Sequence, residues 1–141
     1  MQRFNERDLM IKQLAPHAVR SVPTQFQGIY VHGTQIDDPK SLVFLSGQIG
    51  MSPEGETKVG FEQQCQQAMQ NVEALLEEAG MDTSNILRVV YYVTDACYLP
   101  LLSKARQARW KKGPAPSVTT LVISNLAAPE LLIEIEVTAA R

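Results

Sequence analysis

Phe61-Glu-Gln-Gln-Cys-Gln-Gln-Ala-Met-Gln-Asn-Val-Glu-Ala-Leu-Leu-Glu-Glu-Ala-Gly80 carries the clearest periodicity of the chain. Apolar residues fall at Phe61, Cys65, Ala68, Val72, Leu75, Leu76 and Ala79, in steps of four and three. Glu62, Gln63, Gln66, Gln70, Glu73 and Glu77 lie opposite. That spacing holds one apolar stripe on one side of an α-helix, so an amphipathic helix with a single buried face is expected. Gly80 stands where a left-handed C-terminal cap is wanted, and Asp82-Thr-Ser-Asn85 turns the chain into Ile86–Thr94, which reads as a long strand.

Outward from this pair, a second helix is expected from Leu99 to Trp110, with Pro100 tolerated in its first turn and Gly113-Pro114 ending it. Two strands follow, Ser117–Ser124 and Leu131–Ala139. Before the first helix, Gly28–His32 reads as a short strand, Gly33–Lys40 as a turn and Ser41–Ser46 as a strand, together a hairpin. Residues 1–25 hold Pro16 and Pro23 and no sustained period, and they read as a loosely packed N-terminal segment with a helical turn near Asp8–Lys12, ahead of one domain over 26–141. The order β-β-α-β-α-β-β is an α+β arrangement, two helices on one face of a mixed sheet.

Two helices cover only one sheet face, yet both faces of the long strand are apolar: Leu87, Val89, Tyr91 and Val93 on one, Val90 and Tyr92 on the other beside Arg88 and Thr94. An exposed apolar sheet of that size exceeds what a soluble monomer usually shows, so a second subunit is expected to cover it. In the last strand Ile133, Ile135 and Val137 should face the helices. Glu134 and Glu136 face away, solvated at the edge or set in a cleft between subunits, with solvation the favoured reading from residues alone.

At 141 residues and 45% hydrophobic content the chain is long enough for one real core. Its net charge of −2 offers no field for nucleic acid or anionic membrane, and no apolar run reaches a membrane span. The first residues lack a signal peptide's apolar stretch, so a cytoplasmic protein is expected. Cys65 and Cys97 fit no disulfide framework or CxxC pair and read as reduced, mostly buried thiols. His17 and His32 lack metal-ligand spacing, and no phosphate loop or nucleophile elbow occurs, so neither a metal nor another cofactor is expected. Lys104, Arg106, Arg109, Lys111 and Lys112 cluster at the end of the second helix, where cations complement the helix dipole; an RNA-binding stripe is the less favoured reading.

Three segments in combination resemble the reactive intermediate deaminase (Rid) family, also called YjgF-like, to which an older endoribonuclease label is attached. They are Leu42-Val-Phe-Leu-Ser-Gly-Gln-Ile49 with Pro53, Gln64 through Gly80, and Pro116 through Leu126 closing on Ile133-Glu-Ile-Glu-Val137. The resemblance implies a chorismate-mutase-like fold, a homotrimer whose sheets form a central barrel, and clefts between subunits that take a small metabolite. It also implies hydrolysis of enamine or imine intermediates to a 2-keto acid and ammonia, without a cofactor.

The resemblance carries Tyr30 over as a cleft tyrosine and Glu134 as the glutamate that orients water. Thr120 stands where many members have cysteine, and Ser103 where they have a cleft asparagine. The family's carboxylate-anchoring arginine falls on Val118, or on Pro116 if the alignment runs from Pro114-Ala115, and neither is a cation. Val cannot pair with a carboxylate, which costs about 2–5 kcal/mol of recognition. This argues against 2-iminobutanoate/2-iminopropanoate deamination unless Arg106 or Arg88 compensates. The alternatives are a non-catalytic trimer that binds a small molecule or a protein and, with less physical support, an endoribonuclease.

Overall fold

The computed structural model describes residues 11–111 and 113–141. The periodic stretch folds as helix α1 (Phe61–Glu78), and the chain leaves it through Gly80 at φ +70°. There the Gly80 N–H donates to Glu77 O (2.9 Å) and the Met81 N–H to Leu76 O (2.8 Å). This pairing satisfies two carbonyls of the last turn and needs the left-handed residue in between. Met81 is buried in the same apolar cluster as Leu76, which completes the cap.

Phe61, Cys65, Ala68, Val72 and Leu76 form the buried side of α1, as their spacing predicts. Leu75 departs from the pattern: it is 39% exposed, while Gln64 and Gln67 are buried. Buried amides require partners, and these have them. Gln64 Nε2 donates to Lys58 O (3.0 Å) and Glu130 O (2.9 Å), and its Oε1 accepts from the Leu132 N–H (2.8 Å). Gln67 donates to Asn71 (2.8 Å), whose own amide donates to Ile49 O and Met51 O. The polar side of the helix thus pins the loops before and after it.

Strand β5 (Ile86–Val93) lies between β6 (Ser117–Val122), with which it is parallel, and β7 (Ile133–Ala140), with which it is antiparallel. Helix α2 (Leu99–Arg109) makes the crossover from β5 to β6. Two short strands, β3 (Leu42–Phe44) and β4 (Gln48–Ile49), pair with successive parts of β7, giving the order β3-β7-β5-β6. Val89, Tyr91, Val93, Ile133, Ile135, Val137 and Ala139 are buried beneath the helices. Removing one such aliphatic side chain from water contributes about 1.5–3 kcal/mol. Arg88, Tyr92, Glu134 and Glu136 take the opposite face, as strand alternation requires.

Three expectations are corrected. The closed trimeric barrel is not found: the sheet is open, running from β3 to β6, and among the described residues these end strands do not pair with each other. Closure needs first and last strands in matching register, and strands of three and six residues on opposite sides of the sheet make no such pair.

Second, Gly28–His32 is not a strand. Gly28 sits at φ +82°, a short 3-10 turn occupies Thr24–Phe26, and only Val31 makes an isolated bridge, to Ser117. The strand comes in the stretch expected to turn, β2 (Gly33–Ile36), and the predicted hairpin with β3 does not form. Third, β2 pairs with β1 (Ile11–Leu14), in the segment expected to be loose and partly helical; residues 8–10 of that expected turn lie outside the described residues. The physical reason is a small second cluster, in which Ile11 and Ile36 pack on Leu87 and Ala140 behind the main sheet. Thr34 Oγ1 ties this hairpin down by donating to Leu87 O (2.9 Å).

Candidate functional site

Two of the motif segments meet between β4 and β7. Ile49 pairs with Glu134, and Gly47 lies under the Glu134 side chain so closely that a Cβ there would stand 1.9 Å from Oε1. Only glycine admits the carboxylate in this place. Across β5, Tyr92 pairs with Glu134, and its hydroxyl donates to Glu136 Oε1 at 3.3 Å. Lost hydration, then the nearby Glu136 and Glu134 carboxylates, hold the Tyr92 phenol above its ordinary range, while Arg88 pulls it down. The result is an accessible cluster of two carboxylates, a phenol and a guanidinium on the rear face.

Val118 and Thr120 sit elsewhere. They pair with Val89 and Tyr91 and share the helix-covered side of the sheet, Val118 against the core and Thr120 exposed at the β6 edge. Ser103 and Arg106 are on α2, half-buried. The Arg106 guanidinium lies 5.4 Å from the centre of the Tyr91 ring. Tyr30 stacks obliquely on Phe26 and meets His32 edge-on, and the adjacent Val31 N–H donates to Pro116 O (3.0 Å). Tyr30 is therefore carried beside the start of β6. Within one chain, Glu134 and Arg88 occupy one side of the sheet, and Val118, Thr120 and Arg106 the other.

Two cavities were not foreseen. One of about 20 Å³ lies where α2 meets the chain before β6, walled by Val89, Tyr91, Arg106, Trp110, Pro114 and Pro116 among others. Trp110 caps the end of α2, its N–H donating to Arg106 O (2.9 Å), and no local pattern in the sequence marks the pair. The other is a groove of about 520 Å³ between α1 and α2, lined by Lys58, Gln66, Gln70 and Lys104 among others, which holds none of the predicted site residues. No alternation marks it, because it is made by the gap between two helices.

The basic cluster does not form one face. Arg109 is engaged by Glu73 (2.7 Å) and donates to Gln66 (3.0 Å), Arg106 lies against Tyr91, Lys104 lines the inter-helix groove, and Lys112 falls outside the described residues. Cys65 is buried as expected; Cys97 is exposed, which corrects the reading of two mostly buried thiols. Among the described residues no three His, Cys, Asp or Glu side chains could together hold a metal ion, and no helix is long and apolar enough to cross a membrane.

Comparison with known proteins places this geometry. The family model described as Endoribonuclease L-PSP matches residues 23–141. A RutC family protein of Aquifex aeolicus is 34% identical over 110 residues, covering 77% of this chain and 87% of that protein. The 2-iminobutanoate/2-iminopropanoate deaminase of Escherichia coli is 27% identical over 117 residues, covering 81% and 88%. Among solved structures, the Rid-family protein YyfB of Yersinia pestis superposes with a TM-score of 0.80 over 93% of this chain and 98% of that one, at 24% identity. E. coli TdcF with bound serine superposes at 0.68, with 26% identity, over 79% and 87%.

Proposed function

Because the chain belongs to the Endoribonuclease L-PSP family, the Rid or YjgF-like family, we propose that it binds a small metabolite and hydrolyses an imine or enamine, with Glu134 directing the attacking water. The observation that carries this reading is the meeting of Gly47 and Glu134, where the glycine leaves room for a half-exposed carboxylate on the rear face of the sheet. Its support from relatives is an imino-acid deaminase and a TdcF structure with bound serine.

In the proposed reaction Glu134 takes a proton from water as its oxygen adds to the C=N carbon and passes it to the nitrogen, and the new hydroxyl gives the nitrogen its second proton; an enamine first takes a proton at carbon to become the imine. Breakage of the C–N bond then releases ammonia and leaves a carbonyl. One water is consumed for each ammonia formed. Tyr30, Ser103, Val118 and Thr120 shape the ligand cleft in this proposal, and Val118 suits a substrate less dependent on a carboxylate anchor at that point. Of the two compensating cations, Arg88 shares the face of Glu134 and Arg106 does not.

The opposed placement of these residues favours a cleft shared between copies, so a homotrimer belongs to the proposal; light scattering that returns a monomer removes that part. A cytoplasmic setting accompanies it, in keeping with the free thiols Cys65 and Cys97.

Ammonia release from freshly generated 2-aminoacrylate and from other imines tests the chemistry. Glu134→Ala is expected to lower it about 100-fold or more, and equal rates for parent and variant would sink the proposal. The missing cation at Val118 and Pro116 favours a second reading, a non-catalytic binding protein. That reading predicts no ammonia from any imine, together with a rise in Tm with a bound metabolite. The dispersed basic residues give the endoribonuclease reading no comparable support.

A further inference from the structure

The small chamber at the end of α2 is walled by residues with nitrogen atoms that have nothing to bind. Arg106 Nε and Nη1 and Trp110 Nε1 are buried without a hydrogen-bond partner, the only side-chain atoms in this state among the described residues. Their neighbour on the same helix shows what is missing: Arg109 has the Glu73 carboxylate at 2.7 Å. Arg106 has only Tyr91 beside it, the ring and the phenol oxygen, and no Asp or Glu lines the chamber. From these observations we propose that the chamber binds one compact, singly charged anionic group, either a halide ion or the carboxylate end of a small organic acid.

The size and the charge both favour this occupant. About 20 Å³ holds one small group and no larger ligand whole. Buried donors on a charged group are costly when unsatisfied, and these three nitrogens have no hydrogen-bond partner. One water offers two lone pairs and no charge. An anion can accept from several donors at once and neutralises the guanidinium. The carbonyl end of α2 brings about half a negative charge to this end of the helix, less than the full positive charge of Arg106, so the net sign stays positive. Burial pushes the Tyr91 phenol far above its ordinary range, Arg106 opposing, so this neighbour is neutral and does not repel an anion. The site stands independently of the proposed deamination, since Glu134 is on the other side of the sheet.

Trp110 is the only tryptophan in the chain and reports on the chamber directly. With sodium held constant and bulky gluconate as the balancing anion, bromide should quench its fluorescence with a saturable component. That component should vanish in Arg106→Gln, leaving linear collisional quenching. Arg106→Lys, which keeps the charge but loses the planar fork, should weaken bromide about tenfold or more, and it serves if Arg106→Gln does not fold. Displacement of bromide by chloride but not acetate identifies a halide site; displacement by acetate identifies the carboxylate end of an acid. Crystals of the unmodified protein grown with bromide should show its anomalous signal within hydrogen-bond distance of these nitrogens. Linear quenching alike in parent and variants, or water alone in the chamber of those crystals, overturns the proposal.

Discussion

On the helix side of β5 and β7, Val89, Tyr91, Val93, Ile133 and Ile135 are sealed beneath α1 and α2. On the other side of the same strands Tyr92, Glu134 and Glu136 remain accessible. One register therefore builds two environments. On the sealed face the cost of an unpaired polar atom is high, which makes Arg106 and Trp110 conspicuous. On the open face carboxylates keep their hydration, and Glu134 and Glu136 lie side by side along one strand without a buried counter-ion. The rear side is open around Arg88, Tyr92, Glu134 and Glu136 and closed at Val90, which is 4% exposed.

Deletion of core volume should separate the two faces most. Ile135→Ala is expected to cost about 2–5 kcal/mol in urea unfolding, because its site is fully buried. Leu121→Ala, at an edge where the side chain is 43% exposed, should stay within about 0.5 kcal/mol. Similar costs would mean that the rear of the sheet is as well packed as the front, as it would be if another chain covered it.

Two glycines sharpen the contrast between backbone and side-chain neighbours. A Cβ at Gly50 would lie 2.4 Å from the Gln64 Cα, so Gly50→Ala forces α1 to move and should cost about 1–3 kcal/mol. At Gly47 the obstacle is the Glu134 side chain, which can swing away. Gly47→Ala should therefore cost less stability than Gly50→Ala, while reducing imine hydrolysis by displacing the carboxylate. The reverse ranking in denaturation and ammonia-release measurements would contradict this geometry.

A further effect is alkaline. Burial pushes the Cys65 thiol from 9.0 up to about 11, partly opposed by Arg109. The unfolded thiol ionises first, so this stabilisation is complete below about pH 9 and declines as pH rises from there through 11. A loss on the order of 2–3 kcal/mol should appear in urea unfolding across that window and be absent in Cys65→Ala. At pH 8 a thiol reagent should label the exposed Cys97 and spare Cys65.

Much of this fold was readable along the chain. The α1 stripe, its Gly80 cap, the β5 strand and the alternation of β7 follow from local spacing, because each element buries one predictable side. Gln64 broke the stripe because it bonds backbone that arrives from residues 58, 130 and 132, and Gln67 because its partner Asn71 holds the loop at residues 49 and 51. The β1–β2 hairpin was missed for a related reason: Ile11 and Ile36 become strand residues by packing on Leu87 and Ala140, distant in sequence. Of the candidate site, Glu134 and its side of the sheet were legible from alternation. Its contact with Gly47 was not, nor was the chamber at Trp110.

The amphipathic helix, the three long strands and the lack of a cation at Val118 and Pro116 follow from residue type and local period, and the family from the combination of three motif segments. Long-range packing leaves the sheet open, sets Glu134 and Arg106 on opposite sides of it, and buries three nitrogens without partners. Those outcomes depend on which distant segments meet. Hydrophobic periodicity states that a face must be buried, but pairing register and loop packing choose what buries it.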